Sequence, residues 1–218
     1  MPSVKDLQDA FFAALARRMA EHGFESRPRD QAFVRKTPFG RQTFHVSFIK
    51  HAHDCDVTAD VAIRIDALED LLNEWNATLS KAERKQTHSM GAELGNISEG
   101  RQRRWTLASE DDIPEAVSSV MALFQSVGLP YLEKYSNLEQ ALVAVSGDDR
   151  ASWLHSPFHD LRAKRAVGLA FVLGHYQRLD ELIAAKTRFL RERNDPGLDS
   201  FLAFAKEVRG RAAAVSSR

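Results

Sequence analysis

Between Phe44 and Ile65 apolar and polar residues alternate, and this pattern constrains the fold more than any other feature of the chain. Successive side chains of an extended strand point to opposite faces. Phe44, Val46 and Phe48 therefore share one face, and Thr43, His45 and Ser47 the other. Val57, Ala59, Val61, Ile63 and Ile65 repeat the arrangement against Thr58, Asp60 and Arg64. Two such runs predict a hairpin with an apolar face and a solvated face, in which Phe44 lies opposite Val61 and His45 opposite Asp60. Thr37-Pro38-Phe39-Gly40 places proline second and glycine fourth in a turn ahead of it. The expectation is a three-stranded antiparallel meander.

The flanking segments read as helices. Val4, Leu7, Phe11, Phe12, Leu15 and Met19 recur at three- and four-residue steps and stop at Gly23. Asp66 and Glu69 have the spacing of a capping pair, ahead of an apolar face formed by Leu68, Leu71, Leu72 and Trp75. From Thr78 to Gly100 the periodicity fades, although SMGAELGNI and the later RRWTLAS can each hold a short strand. Beyond them the chain is helical. Val117, Val120, Met121, Phe124 and Val127 form a stripe closed by Gly128 and Pro130. Ser136 to Glu139 is a capping box for a helix ending at Gly147, and Pro157 occupies a first helical position. Further helices follow Gly174 and Asp195-Pro196. The fold class is α+β, an antiparallel sheet packed against helices and followed by a helical C-terminal region. The division falls into an α+β domain over residues 1–147 and a helical part over 148–218.

The chain has 218 residues, enough for a substantial core, and its 30 basic residues balance 30 acidic ones. That balance argues against nucleic acid as the main partner. One cysteine cannot form an internal disulfide. The opening MPSVKDLQDAFFAALARR lacks the pattern of a secretory signal, and no stretch reaches the roughly 18 apolar residues of a membrane span. The expectation is a cytoplasmic protein with no membrane contact.

Three sets of side chains are candidate sites. His51, His53 and Cys55 lie in HAHDCD, and on an extended chain alternate positions point one way, so the three could ligate zinc if the chain bends. The competing reading is the polar tip of a turn. No cofactor is expected. His45, Asp60 and Arg64 on the solvated sheet face could bind a small anion or a partner. Arg101, Arg103 and Arg104 beside Trp105 suggest a weak contact with RNA, the ring offering a stacking platform. His155 and His159 are four apart, but Pro157 keeps them from sharing one helix face. Residues 54–75 hold Asp54, Asp56, Asp60, Asp66, Glu69, Asp70 and Glu74 against Arg64 alone. Glycine-rich phosphate loops, Gly-x-Ser-x-Gly elbows and CxxC pairs do not occur.

The order FVRKTPFGRQTFHVSFIKH, VTADVAIRI, SMGAELGNISEGRQRRWTLASEDDIPEAV and GLPYLEKYSNLEQAL resembles the bacterial proteins grouped as domain of unknown function 4304. The resemblance covers about residues 4–145. It implies a bacterial protein with an N-terminal helix and antiparallel strands, and it carries no catalytic residues. The functional expectation is a non-enzymatic binding or protein-interaction module, one version being neutralisation of a toxin through the acidic region at 54–75. Alternatives are a metal-dependent enzyme using His51, His53 and Cys55, and a weak RNA-binding protein.

Overall fold

The computed structural model describes residues 3–76 and 78–216; Met1 and Pro2 of the opening stretch lie outside them. Its strands are β1 (Glu25–Arg27), β2 (Ala32–Thr37), β3 (Gly40–Lys50), β4 (Cys55–Ile65), β5 (Met90–Glu93) and β6 (Trp105–Leu107). The first helices are α1 (Val4–Ala20), α2 (Asp66–Asn73), α3 (Lys81–Gln86), α4 (Leu94–Glu99), α5 (Ile113–Leu123) and α6 (Leu129–Tyr135). Then come α7 (Leu138–Ser146), α8 (Arg150–His155), α9 (His159–Val172), α10 (Leu179–Glu192) and α11 (Leu198–Ser216). The fold is α+β. The sheet has the order β1-β2-β3-β4-β5, with β6 also paired to β4. The chain forms two compact units, Met1–Ile63 with Gly91–Lys134 and Arg64–Met90 with Tyr135–Arg218. It passes between them after Ile63, Met90 and Lys134, so neither unit is continuous in sequence.

The first unit is built on the alternating hairpin. Phe33 pairs with Phe44 across β2 and β3, which sets both rings on the same face. Phe12 of α1 stacks on Phe33 at 4.4 Å, and Phe124 meets Phe44 edge-on. The helix begins with a reciprocal box in which Ser3 and Asp6 each accept from the other's backbone, and it is followed by Gly23 at φ 78°, a left-handed position that glycine adopts without strain.

The stripe from Ile113 does not end where glycine and proline suggest. It passes through a single π turn, Phe124–Gly128, and continues into α6. Proline has no N–H for the residue four back, and the wider turn absorbs that missing bond without breaking the axis. Gly128 serves packing instead of termination. A Cβ there would lie 2.9 Å from Leu94 Cδ2 and 3.1 Å from Val61 Cγ1, so only glycine lets the helix come this close to the sheet.

The second unit centres on α9, which packs against α2, α7, α10 and α11. Its Ala163, Ala166, Val167, Leu169 and Ala170 are buried, and small residues let four helices approach one. The cap of α7 is Asn137, whose side chain accepts from the Glu139 and Gln140 amides, one residue later than expected. Pro157 precedes α9, which begins at His159; Ser156 is extended, as a residue before proline prefers. Asp66 and Glu69 form no capping pair either. Asp66 Oδ1 instead accepts from Arg64 Nε at 2.7 Å, and Glu69 is buried. Trp75 is 43% exposed at the rim of this unit, edge-on to Phe204.

Candidate functional site

The β3–β4 hairpin positions the polar residues singled out from sequence. His51 N–H donates to the Asp54 carbonyl at 3.0 Å, closing a tight reversal with Ala52 and His53 at its tip. His45 Nδ1 lies 3.9 Å from Asp60 Oδ2, which fits the same register. The ring contacts of α1 and of the π turn all fall on the phenylalanine face. The opposite face is half open. His45 and Asp60 each keep 40% of their side-chain exposure, Val34, Ser47 and Ala62 are half-buried, and Thr43 and Thr58 are sunk between them.

Ser47 Oγ approaches His45 at 3.4 Å, so a serine, a histidine and an aspartate share this face. They do not form a relay. A nucleophilic triad needs the hydroxyl on one imidazole nitrogen and the carboxylate on the other. Here both approach Nδ1. The arrangement offers hydrogen-bonding groups to a bound surface and does not activate Ser47.

Arg64 is committed within the second unit. Its guanidinium is buried, donating to Asp66, Asp70, the Arg84 and Thr87 carbonyls and the Thr87 hydroxyl. That network ties α2 to the segment following α3, and it leaves Arg64 no free donor edge for a ligand.

His51, His53 and Cys55 are not brought together. The expectation required an extended chain through all three, whereas the chain reverses between His51 and Asp54. Both histidines are left in solvent, while Cys55 follows the alternation of β4 onto the core face and is fully buried. Burial pushes its thiol up, away from the thiolate a metal would need. His51 Nε2 turns to Asp56 at 3.3 Å, and Asp56 also accepts from Thr106 Oγ1 at 2.7 Å. The Thr106 hydroxyl, then His51 and Arg104, hold the Asp56 carboxyl below the usual range. Among the described residues no three His, Cys, Asp or Glu side chains are grouped to hold a metal ion.

The other sequence candidates are taken up by structure. Arg101 and Arg103 pair with Glu99, and Arg104 with Asp56. Trp105 is buried with its indole N–H donating to Ser119 Oγ at 2.9 Å, so it is no stacking platform. Much of the acidic run is paired locally: Asp56 faces Arg104, Asp66 and Asp70 face Arg64, and Glu74 faces Arg211. His155 ends α8 against Tyr135 Oη, while His159 opens α9 against Arg162, so the two serve different contacts.

Two buried cations went unrecognised in the sequence. Lys186 Nζ donates to the Ser146 carbonyl and to Asp148 Oδ1 at 2.6 Å, and Arg162 donates to the carbonyls of Gly147 and Ser156. At Ser146 and Gly147 they satisfy carbonyls at the end of α7, where the helix dipole favours positive charge, while the Ser156 carbonyl that Arg162 also takes follows α8. Only their place in a helical stripe, at positions otherwise apolar, could have signalled this.

The class thus defined is an α+β protein with a helix-backed antiparallel sheet whose other face is half open. No protein-family model matches the chain, and no curated protein or solved structure matches it.

Proposed function

We propose that the chain is a non-catalytic binding module that engages a protein partner through the half-open face of its sheet. The observation that supports this is the asymmetry of the β3–β4 hairpin. One face is packed by aromatic rings, and the other presents His45, Ser47 and Asp60 among small, part-buried neighbours. A solvated antiparallel face of this kind is broad, shallow and prepaid in backbone order, which suits a protein surface better than a small molecule. The resemblance to domain of unknown function 4304 covers the stretch holding this hairpin and supports a bacterial setting. Among the described residues no helix is long and apolar enough to cross a membrane. Because Asp56, Asp66, Asp70 and Glu74 are paired with arginines within the chain, recognition here rests on shape and hydrogen bonding more than on a negative field.

The test is an affinity capture from extract of the source bacterium with wild type and with a Ser47→Arg/Asp60→Arg variant whose circular dichroism matches wild type. A protein retained by wild type and lost from the variant is the expected result. Equal retention by both, or nothing above background, overturns the reading.

A further inference from the structure

A second site, independent of the sheet face, lies in the second unit where α7, α9 and the start of α10 meet. Leu142, Ala170 and Leu182 make an apolar floor, and the exposed Arg178 and Glu181 stand at the mouth. The cavity measures ≈ 140 Å³. Drug-sized pockets begin near roughly 300 Å³, so the apolar part of an occupant is limited here to a few carbons.

The two charges at the mouth are unmatched. Arg178 and Glu181 stand three residues apart, a spacing that sets helical side chains on one face about 5–6 Å apart at Cβ. Yet neither side chain forms an ion pair or hydrogen bond with the other or with any described residue. The neighbouring charges are already taken: Asp180 pairs with Arg209 at 2.7 Å, and Glu139 with His175 at 2.8 Å. An open cation and an open anion thus flank one apolar recess.

The recess is also held in shape before anything binds. His175 N–H donates to the Ala170 carbonyl at 2.9 Å, and the His175 carbonyl accepts from Arg178 N–H at 3.0 Å, which locks the turn leading into α10. On the other side Ser146, which also lines the recess, accepts through its carbonyl from the buried Lys186 ammonium, so the end of α7 is tied to α10. A recess ordered in advance loses less conformational entropy on binding.

We infer that this pocket binds a free α-amino acid with a short aliphatic side chain. The side chain enters against Leu142, Ala170 and Leu182, the carboxylate accepts from Arg178, and the ammonium donates to Glu181. Such a molecule carries both charges on one carbon and points its apolar group away from them, as the recess does in complement. A simple carboxylic acid would set its charge beside an unmatched Glu181, and a simple amine would do the same beside Arg178.

The test uses the full chain, labelled with nitrogen-15, and four probes. They are L-leucine, 4-methylpentanoate, which lacks the ammonium, 3-methylbutylamine, which lacks the carboxylate, and glycine, which lacks the aliphatic body. L-leucine should shift the backbone amides of Ala170, His175, Glu181 and Ala185 saturably. Each truncated probe should bind about fivefold more weakly or worse, the upper value of one exposed ion pair. Arg178→Gln should weaken L-leucine about fivefold without weakening 3-methylbutylamine, and Glu181→Gln should weaken L-leucine equally without weakening 4-methylpentanoate. Ala185→Trp, at an exposed position on the pocket wall, should abolish binding of all four. The inference is overturned if no saturable shift occurs, if shifts map elsewhere, or if any truncated probe binds wild type as tightly as L-leucine. Equal L-leucine affinity in wild type and in either charge variant overturns it as well, since Arg178 and Glu181 would then face only water.

Discussion

Phe124 sets its ring edge-on against Phe44, with centroids 5.0 Å apart and planes at 70°. Both rings are fully buried, and Phe24 meets Phe124 from another side. One residue at the start of a π turn thus joins the helical layer to the sheet. Truncating it removes buried area and leaves a cavity that the flanking strands cannot close. Phe124→Ala should cost about 3–5 kcal/mol, read from the urea midpoint. A loss under about 1 kcal/mol would mean that the helix docks through other contacts.

Gly128→Ala separates packing from propensity. Alanine is the better helix former by about 1 kcal/mol, so local preference predicts stabilisation. The new methyl would meet Leu94, Phe124 and Val61 at 2.9, 3.0 and 3.1 Å. We expect a net loss of about 1–3 kcal/mol in equilibrium denaturation, because overpacking forces the layers apart. A gain in stability would show that the contact relaxes freely.

Asp148 and Lys186 should respond unequally. Lys186 is held in a low-dielectric site, where burial lowers its pKa and Asp148 opposes that effect. Asp148→Ala leaves the ammonium with only the Ser146 carbonyl. Lys186→Met removes the charge and keeps the volume. Loss of the carboxylate should therefore cost more, about 1–3 kcal/mol given that Asp148 is one-third exposed, while Lys186→Met should cost less than that. Paired chemical denaturation curves would show the order, and the reverse order would contradict the account.

His159 carries a pH dependence. Burial, with Arg162 and Arg193, lowers its imidazole below the ordinary range, and Asp195 and Asp148 oppose this. With the folded pKa below the unfolded one, the unfolded chain binds the proton more readily. The contribution to stability is complete above about pH 6.5 and is lost as pH falls through that value toward the folded pKa. Thermal midpoints taken between about pH 7.5 and pH 5 should fall in wild type and fall less in His159→Gln. Parallel curves would assign the acid sensitivity to other groups.

Much of the architecture was legible locally. The alternation at Phe44–Phe48 and Val57–Ile65 specified the hairpin, its faces and the His45–Asp60 juxtaposition, because strand periodicity needs no distant partner. The stripes at Leu7–Met19 and Val117–Phe124 specified helices for the same reason. Signals at boundaries misled. Gly128-Pro130 has the composition of a helix end, yet a π turn and a close approach to Val61 keep the chain helical. Ser136 and Asp66 have the spacing of caps, yet Asn137 and Arg64 outcompete them. The weak segments at Glu25–Arg27 and Leu94–Glu99 carried too few residues to show a period. The boundary expected near Gly147 follows a local turn, whereas the compact units interleave through three chain crossings.

By itself, then, the order of residues determined the hairpin, its two faces and the helical character of most of what flanks it, since those follow from repeating patterns of apolar side chains. Tertiary structure alone decided that Cys55 is hidden from His51 and His53, and that Arg64, Arg162 and Lys186 are internal cations. The physical reason is that burial and pairing depend on what other segments bring to a side chain, and a linear pattern does not record the neighbours that folding supplies.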